Sequence, residues 1–163
     1  TARIITKLAG APQPASRLEQ SKLTLTESQR EKGELLVLAG VLLQIGFPGM
    51  MAVYYGDERG MEGYDDPFNR RTYPRDEKES VFTARMLSLM RLRSSTPVLR
   101  TGGFRIIEAD DNSIAICRFL LGDGSDVFGR RVDGPREAVI RVRRDGNGAE
   151  GEVAFDGSPV FSF

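Results

Sequence analysis

The side chains able to do chemistry in this chain are carboxylates, arginines and tyrosines. The sequence has no histidine and a single cysteine, Cys117, which excludes Ser-His-Asp and Cys-His catalysis and imidazole metal sites built from its residues. Acid–base chemistry would therefore fall to Asp, Glu, Lys or Tyr. We expect no metal site and no cofactor. Cys117 lies in an alternating apolar run and is interpreted as a small residue of a strand.

Carboxylates and arginines are concentrated in one stretch, residues 56–76, with the sequence GDERGMEGYDDPFNRRTYPRD. Its glycines and prolines are typical of a loop. The stretch directly follows Leu35–Tyr55, the most apolar part of the chain. The elements that position the charged groups must therefore be formed by that apolar run.

Leu35–Tyr55 is long enough to suggest a membrane span, which needs about 20 apolar residues. It is interrupted by Gly46-Phe47-Pro48-Gly49, where the proline lacks a backbone donor and disfavours helix at the residue before it. We therefore predict no transmembrane helix. The run instead indicates a helix ending near Ile45 and a buried parallel strand, Met51–Tyr55.

Two longer helices are predicted from capping signals. Thr26 and Gln29 fit a capping box that begins a helix over residues 27–45, and Asp76 is the expected N-cap of a helix over residues 77–94. In the second helix, apolar side chains are expected to point inward and arginines outward: Phe82, Met86, Leu89 and Met90 against Arg85, Arg91 and Arg93. Residues 1–8 are expected to form a short helical turn and residues 10–28 a polar surface connector.

The C-terminal third has the alternating pattern of antiparallel strands. The predicted strands are 104–109, 113–120, 137–144, 152–155 and 159–163, separated by Gly/Asp/Asn-rich turns. They amount to half a sandwich that should pack on the preceding helices. The fold class is therefore α+β, with a first part over residues 1–97 and a β domain over residues 98–163.

Charge and termini limit the partners. Lys plus Arg equals Asp plus Glu, so there is no net field to attract nucleic acid or anionic lipid, and we expect neither a nucleic-acid nor a membrane partner. The N-terminal TARIITKLAG lacks the pattern of a signal peptide, which favours a cytoplasmic location over secretion. It also lacks an initiator Met and looks like a chain entered in mid-sequence.

One set of short motifs resembles glycoside hydrolase family 13, the α-amylase family, and within it the neopullulanase, cyclomaltodextrinase and oligosaccharide α-glucosidase members. The motifs, in chain order, are Gly46-Phe47-Pro48-Gly49, Val53-Tyr54-Tyr55-Gly56-Asp57-Glu58, Gly60-Met61 and Asp66-Pro67-Phe68-Asn69-Arg70-Arg71. The resemblance implies that the chain is the C-terminal piece of a (β/α)8 barrel, namely its last helix, strand and helix, followed by a small antiparallel β-sandwich domain.

The resemblance also implies what the chain lacks. Members of the family cleave α-glycosidic bonds with retention, using an aspartate nucleophile and a glutamate acid/base that lie far upstream of these motifs. A third aspartate would directly precede Thr1. By resemblance, then, no catalytic residue lies in this chain.

The resemblance assigns sugar binding to two residues. Asp66 and Arg70 match the Asp and Arg that hold the glucose unit one step beyond the cleaved sugar on its non-reducing side. A carboxylate accepts hydrogen bonds from vicinal hydroxyls, and a guanidinium donates in a fixed fork. The alternative is that the two residues only pair with each other and order the loop.

Four further residues are expected to organise this loop. Asp57 and Glu58 are interpreted as partners of arginines, and Arg71 as a member of a structural pair. Tyr64 could in addition stack on a sugar. No role in metal binding is expected for any of them.

Three functions remain open on the sequence. The chain can be part of an α-glucan-active hydrolase, inactive alone, whose ligand is an α-glucan oligosaccharide that the chain alone is expected to bind weakly or not at all. It can be a stand-alone carbohydrate-binding or assembly module. It can also be a fragment that self-associates, or that binds the missing N-terminal part, through apolar faces left exposed by the absent barrel strands.

Overall fold

The computed structural model describes residues 1–14, 16–76 and 78–163 of the 163-residue chain. Its helices are α1 (Ile4–Leu8), α2 (Arg17–Lys22), α3 (Glu27–Gly46), α4 (Val81–Ser95) and α5 (Pro97–Thr101), with a 3-10 turn at Asp57–Arg59. Its strands are β1 (Gly103–Ala109), β2 (Ser113–Phe119), β3 (Glu137–Arg144), β4 (Ala149–Phe155) and β5 (Ser158–Ser162). The α+β class and the positions of all five strands are confirmed.

The five strands form one antiparallel sheet in sequence order, β1-β2-β3-β4-β5. Ile116, Ile140 and Val153 are register partners on three neighbouring strands and are fully buried. They belong to the same hydrophobic core as residues of α3, α4 and α5. The sheet therefore packs on the helices as predicted, and this core runs across the predicted boundary at residue 97. The division into two parts stays a prediction.

Helix α3 is the centre of this core. The capping box predicted at its start is present, because Thr26 Oγ1 accepts from Gln29 N at 3.2 Å and Gln29 Oε1 accepts from Thr26 N at 3.0 Å. Buried residues occur from Gly33 to Gly46 and on several sides, since the helix contacts α1, α4 and the sheet. Across the described ranges, no helix combines the length and apolarity needed to cross a membrane.

The predicted strand Met51–Tyr55 is wrong. This segment has no regular secondary structure, and Tyr54 and Tyr55 are 51% and 42% exposed. A parallel strand requires a neighbour for its backbone groups, and none of the sheet strands in the described residues pairs with this segment. One of its amides, Ala52 N, instead donates to the Gln44 side chain at 2.9 Å.

Two helix starts also differ from expectation. The polar connector contains α2, a short helix with no buried residue, which begins in a capping box between Ser16 and Glu19. Helix α4 begins at Val81 rather than at residue 77, because Ser80 Oγ accepts from Thr83 N at 3.1 Å and takes the N-cap role expected of Asp76. Glu77 lies outside the described residues.

Arg93 was predicted to point outward, and this is wrong. It is 7% exposed and donates to main-chain oxygens of Ile45, Gly49 and Leu99, at 2.7 Å for the first and 2.6 Å for the second. Helix C-termini leave carbonyl groups without intrahelical partners. Arg93, a residue of α4 that lies against the C-terminal end of α3, therefore donates to main-chain oxygens with which no apolar side chain could form a hydrogen bond.

Arg118 of β2 acts on the same helix end. It is 1% exposed and donates to the main-chain oxygens of Gly102 (2.7 Å), Gly103 (3.0 Å) and Gly46 (3.4 Å). Burial, followed by repulsion from Arg93, lowers its pKa to about 10, which leaves the guanidinium charged at neutral pH. The two arginines join α3, α4, α5 and the sheet at one point.

Two glycines of α3 give a matched test of its packing. A Cβ at Gly33 would lie 2.8 Å from Ile5 Cγ1 and 3.0 Å from the Ile5 carbonyl oxygen, whereas a Cβ at Gly40 would meet nothing within 4 Å. We expect Gly40→Ala to raise the free energy of unfolding by up to about 1 kcal/mol, the difference in helix propensity. Gly33→Ala should lower it by about 1–3 kcal/mol, as overpacking does.

Urea unfolding followed by circular dichroism measures both values. Equal shifts in the two variants would show that α1 does not pack on α3 as described.

Candidate functional site

A buried arginine holds the charged loop in place. Arg3 is 3% exposed and precedes α1. Its Nε donates to the Asn69 carbonyl oxygen at 2.6 Å, and its Nη1 donates to the Tyr55 carbonyl oxygen at 2.5 Å and to Asp57 Oδ1 at 3.2 Å. The guanidinium also lies 4.5 Å and 4.6 Å from the ring centroids of Tyr54 and Tyr55, in cation–π geometry. One side chain thus connects the N-terminal segment to the start of the loop of residues 56–76 and to Asn69 within that loop.

Main-chain groups support the same connection. Arg3 N donates to the Gly63 carbonyl oxygen at 2.8 Å, and Gly63 N donates to Thr6 Oγ1 at 3.0 Å. Asn69 Nδ2 donates to the Thr1 carbonyl oxygen at 2.9 Å. Together with the Arg3 side chain, these bonds fix residues 54–70 against the first six residues at three points, namely Tyr55–Asp57, Gly63 and Asn69.

Asp57 and Glu58 lie in the 3-10 turn that opens the loop. Gly56, at φ +84°, makes this turn possible, since a Cβ there would lie 2.0 Å from the Met61 sulfur. Burial raises the pKa of Asp57, and the hydrogen bond and charge of Arg3 oppose that rise. Asp57 thus has the arginine partner expected from the sequence. The Glu58 carboxylate accepts a hydrogen bond from the Tyr73 hydroxyl, and this bond is the main cause that raises the pKa of Tyr73.

The two residues assigned to sugar binding contact each other. Arg70 Nη2 lies 2.5 Å from Asp66 Oδ1, and the two side chains are 61% and 60% exposed. The contact matches the alternative in which the pair orders the loop. It is also compatible with ligand binding, because an exposed ion pair contributes only about 0–1 kcal/mol and is opened at little cost. Sugar contact by Asp66 and Arg70 stays a prediction.

Tyr64 and Arg71 differ in exposure. Tyr64 is 6% exposed, so its side chain is buried, and sugar stacking by Tyr64 stays a prediction. Arg71 Nη1 lies 3.9 Å from Glu62 Oε1, at the outer limit of an ion pair. Glu62 also lies 3.4 Å from Arg30 Nη2 and accepts from Leu25 N at 2.8 Å. Glu62 therefore connects the loop to the start of α3.

Two cavities border this loop. The larger, about 900 Å³, is a mainly apolar groove between α1, α3, β2, β3 and residues 52–54. The smaller, about 290 Å³, is lined by residues 1–4 with Tyr54, Asp57 and Asn69. Ile4, Tyr54 and Asp57 line both, so the cavities adjoin at the base of the loop.

Three residues of this site were not predicted from the sequence: Arg3, Glu62 and Asn69. Arg3 carries the one signal that could have pointed to it, a charge among apolar residues at the start of a helical turn. For the other two, the contacts are with residues far away in the sequence, so no local pattern indicates them.

Similarity to known proteins identifies the family of this chain. No family model matches the chain. It is 32% identical over 131 residues to an amylopullulanase of Thermoanaerobacterium thermosulfurigenes, which covers 80% of this chain and 7% of that protein. It is 33% identical over 131 residues to a cyclomaltodextrinase of a Bacillus species, covering 75% of this chain and 23% of that protein. The chain belongs to glycoside hydrolase family 13.

Solved structures agree with this membership. The cyclic α-maltosyl-(1→6)-maltose hydrolase of Arthrobacter globiformis, in complex with cyclic α-maltosyl-(1→6)-maltose, matches with a TM-score of 0.50 and 27% identity over 66% of this chain and 22% of that one. The family resemblance seen in the motifs is confirmed, as a match to the C-terminal portion of these enzymes. This family 13 chain spans less than a quarter of the length of each of these three relatives.

Arg3→Lys tests whether the arginine holds the loop. Lysine keeps the positive charge but cannot reproduce the fork of donors, so hydrogen bonds from a charged group, each contributing about 1.5–3 kcal/mol, are lost. We expect a lower free energy of unfolding by about that amount and faster amide hydrogen exchange at Gly63 and in neighbouring loop residues.

The matched control is Arg91→Lys, at an exposed position of α4, which should change stability by less than about 0.5 kcal/mol. Unchanged stability and unchanged exchange in Arg3→Lys would show that the loop does not depend on Arg3.

Proposed function

We propose that the chain is part of a retaining α-glucan-active glycoside hydrolase, to which it contributes a sugar-binding loop and the C-terminal β domain. The observation that carries the proposal is an exposed Asp66–Arg70 pair on a loop anchored by the buried Arg3. Family membership supports the identity of the ligand, because the matched relatives are named for their action on α-glucans.

In this proposal the pair exchanges its own contact for contacts with a glucose unit. Two vicinal hydroxyls donate to the Asp66 carboxylate, and the Arg70 guanidinium donates to ring or hydroxyl oxygens of the same unit. The loop backbone stays fixed by its three points of attachment, so only side chains have to move. A preorganised backbone lowers the ordering cost of binding.

The chemistry of bond cleavage lies elsewhere in the enzyme. A retaining glycosidase needs a nucleophile and an acid/base about 5–5.5 Å apart. By family resemblance both precede this chain, and Asp66 and Arg70 act on the sugar next to the cleaved one. Their part in the reaction is to hold the neighbouring sugar so that the cleaved sugar meets the carboxylates in a reactive geometry.

The purified 163-residue chain is therefore expected to release no reducing sugar from maltohexaose, pullulan or cyclodextrins. A reducing-end assay at high protein concentration measures this. Turnover that follows the chain through purification, and that disappears when a carboxylate of the loop is replaced, would contradict the proposal.

A second function, a stand-alone carbohydrate-binding module, is favoured by the fact that the loop is anchored by residues of this chain. Calorimetric titration with maltotriose or maltohexaose separates the two. If the module hypothesis holds, we expect saturable binding that Asp66→Ala or Arg70→Ala weakens by about tenfold, the loss of one charge-assisted hydrogen bond.

The matched control is Glu150→Ala, which breaks an exposed ion pair with Arg143 on the sheet and should leave affinity unchanged. Binding that Asp66→Ala and Glu150→Ala weaken equally would exclude the loop as the site. No binding at all would leave sugar recognition to the complete enzyme and reject the module.

A further inference from the structure

The turn between β3 and β4 contains a reactive pair of residues. Asn147 is the one asparagine of the sequence that is followed by a glycine. Asparagine is thermally labile, and it loses its amide when the main-chain nitrogen of the next residue attacks the side-chain carbonyl carbon. A glycine at that next position has no Cβ to obstruct the approach. Asn147-Gly148 is therefore the asparagine pair of this chain with the least steric protection.

The Asp145 carboxylate binds the nitrogen that would attack. Its Oδ1 accepts from Gly148 N at 2.9 Å and from Asn147 N at 2.7 Å. The Gly148 nitrogen must lose its proton before it attacks, and a negative charge beside it disfavours the deprotonated form. The hydrogen bond must also open before hydroxide can remove that proton. Asp145 thus opposes the attack by its charge and by its hydrogen bond.

Packing requires the glycine that makes the pair reactive. Gly148 is buried, and a Cβ there would lie 2.8 Å from Leu35 Cδ1 of α3. Lys32 Nζ, also of α3, donates to the Gly146 carbonyl oxygen at 2.9 Å. The turn therefore lies directly against α3, and a bulkier residue that would slow the attack does not fit at position 148. Protection has to come from another residue of the turn.

We propose that Asn147 is a site of deamidation and that Asp145 is the residue that protects it. In the reaction, the Gly148 nitrogen gives its proton to hydroxide and forms a bond to Asn147 Cγ. The Cγ–Nδ2 bond breaks, and ammonia leaves after taking a proton from water. Water then opens the resulting succinimide at either carbonyl, which gives aspartate or isoaspartate. The net change is the uptake of water and the release of ammonia, with no oxidation or reduction.

Isoaspartate at position 147 would disturb the contact between the turn and α3. Its main chain runs through the former side-chain carbon, so it is longer by a methylene group. The extension shifts Gly148 relative to Leu35 and to β4, which begins at the next residue. Asp145 therefore protects the packing of the sheet on α3, and this role is independent of sugar binding.

The turn between β1 and β2 supplies a matched control, because it has the same hydrogen bonds. Asp110 Oδ1 accepts from the main-chain N–H groups of Asn112 and Ser113, both at 2.7 Å. In each turn the aspartate N also donates to the carbonyl oxygen three residues on, at 2.9 Å for Asp110 and 3.0 Å for Asp145. A serine follows the asparagine here, so the pair is less reactive.

Peptide mapping by mass spectrometry tests the proposal on the complete enzyme, incubated at mildly alkaline pH and sampled over time. Asp145→Ala is expected to raise the rate of deamidation at Asn147 by about tenfold, the effect of losing one charge-assisted hydrogen bond. The wild-type rate at Asn147 should be lower than that of the urea-unfolded enzyme by at least a similar factor. Asp110→Ala should leave the rate at Asn147 unchanged.

The rate at Asn112, measured in the same digests, separates a local effect from unfolding. An unchanged rate at Asn112 in Asp145→Ala assigns the increase at Asn147 to the lost carboxylate. If both rates reach those of the urea-unfolded enzyme, the variant has unfolded and Asp145→Ser decides instead. Serine keeps a hydroxyl acceptor in the turn without the charge, so an intermediate rate at Asn147 is expected.

Three results would overturn the proposal. Equal rates at Asn147 in the wild type and in folded Asp145 variants would show that Asp145 does not protect it. An equal increase at Asn147 in Asp110→Ala and Asp145→Ala would show general loosening of this end of the sheet. Absence of deamidation at Asn147 in the urea-unfolded enzyme would reject the site itself.

Discussion

Helix α3 must bury apolar side chains on several sides, and the rest of the chain is arranged to satisfy that requirement. Val37, Leu38, Leu42 and Ile45 are all 5% exposed or less. Covering them takes α1 on one side, α4 on another and the five-stranded sheet on a third. The packing is close, because a Cβ at Gly33 would press on α1 and one at Gly151 would lie 2.2 Å from Leu42 Cδ1. Since α1 is fixed on α3, the residues just before α1 are fixed too, and Arg3 is among them.

Buried arginines then provide hydrogen-bond donors for the main-chain oxygens that such packing removes from solvent. Arg93 and Arg118 donate to main-chain oxygens around the C-terminal end of α3, and Arg3 donates to main-chain oxygens of the loop. A guanidinium has five N–H donors in a rigid fork and can join several segments at once. Its desolvation is costly, so each such residue contributes to stability only while its hydrogen bonds are made.

The apolar pattern and the capping residues predicted much of this fold from the sequence. The capping box at Thr26 and the period-two alternation of the strands are local signals, and both elements form where they indicate. The prediction of a parallel strand over Met51–Tyr55 failed because a strand needs a neighbouring strand to pair with, and sequence periodicity does not show whether one is present. The outward prediction for Arg93 failed because it followed the charge of the residue. Arg93 lies four residues after Leu89 and therefore on the buried face, where main-chain oxygens accept its hydrogen bonds.

The candidate site shows the same division. Asp66 and Arg70 follow from a contiguous motif. The contact between Arg3 and Asn69, which are 66 residues apart, follows only from the tertiary structure that brings them together. The larger groove beside α3, about 900 Å³, is likewise not evident from the sequence, where its apolar lining residues are indistinguishable from core residues.

The central claim is that residues of this chain hold the loop of Asp66 and Arg70 in the form that receives a glucose unit. A crystal structure of the complete enzyme with maltotriose tests it most directly. We predict a glucose ring hydrogen-bonded to both Asp66 and Arg70, with the loop backbone unchanged and Arg3 still bonded to the carbonyl oxygens of Tyr55 and Asn69. A bound sugar away from these residues, or a loop rearranged so that Arg3 no longer contacts it, would contradict the claim.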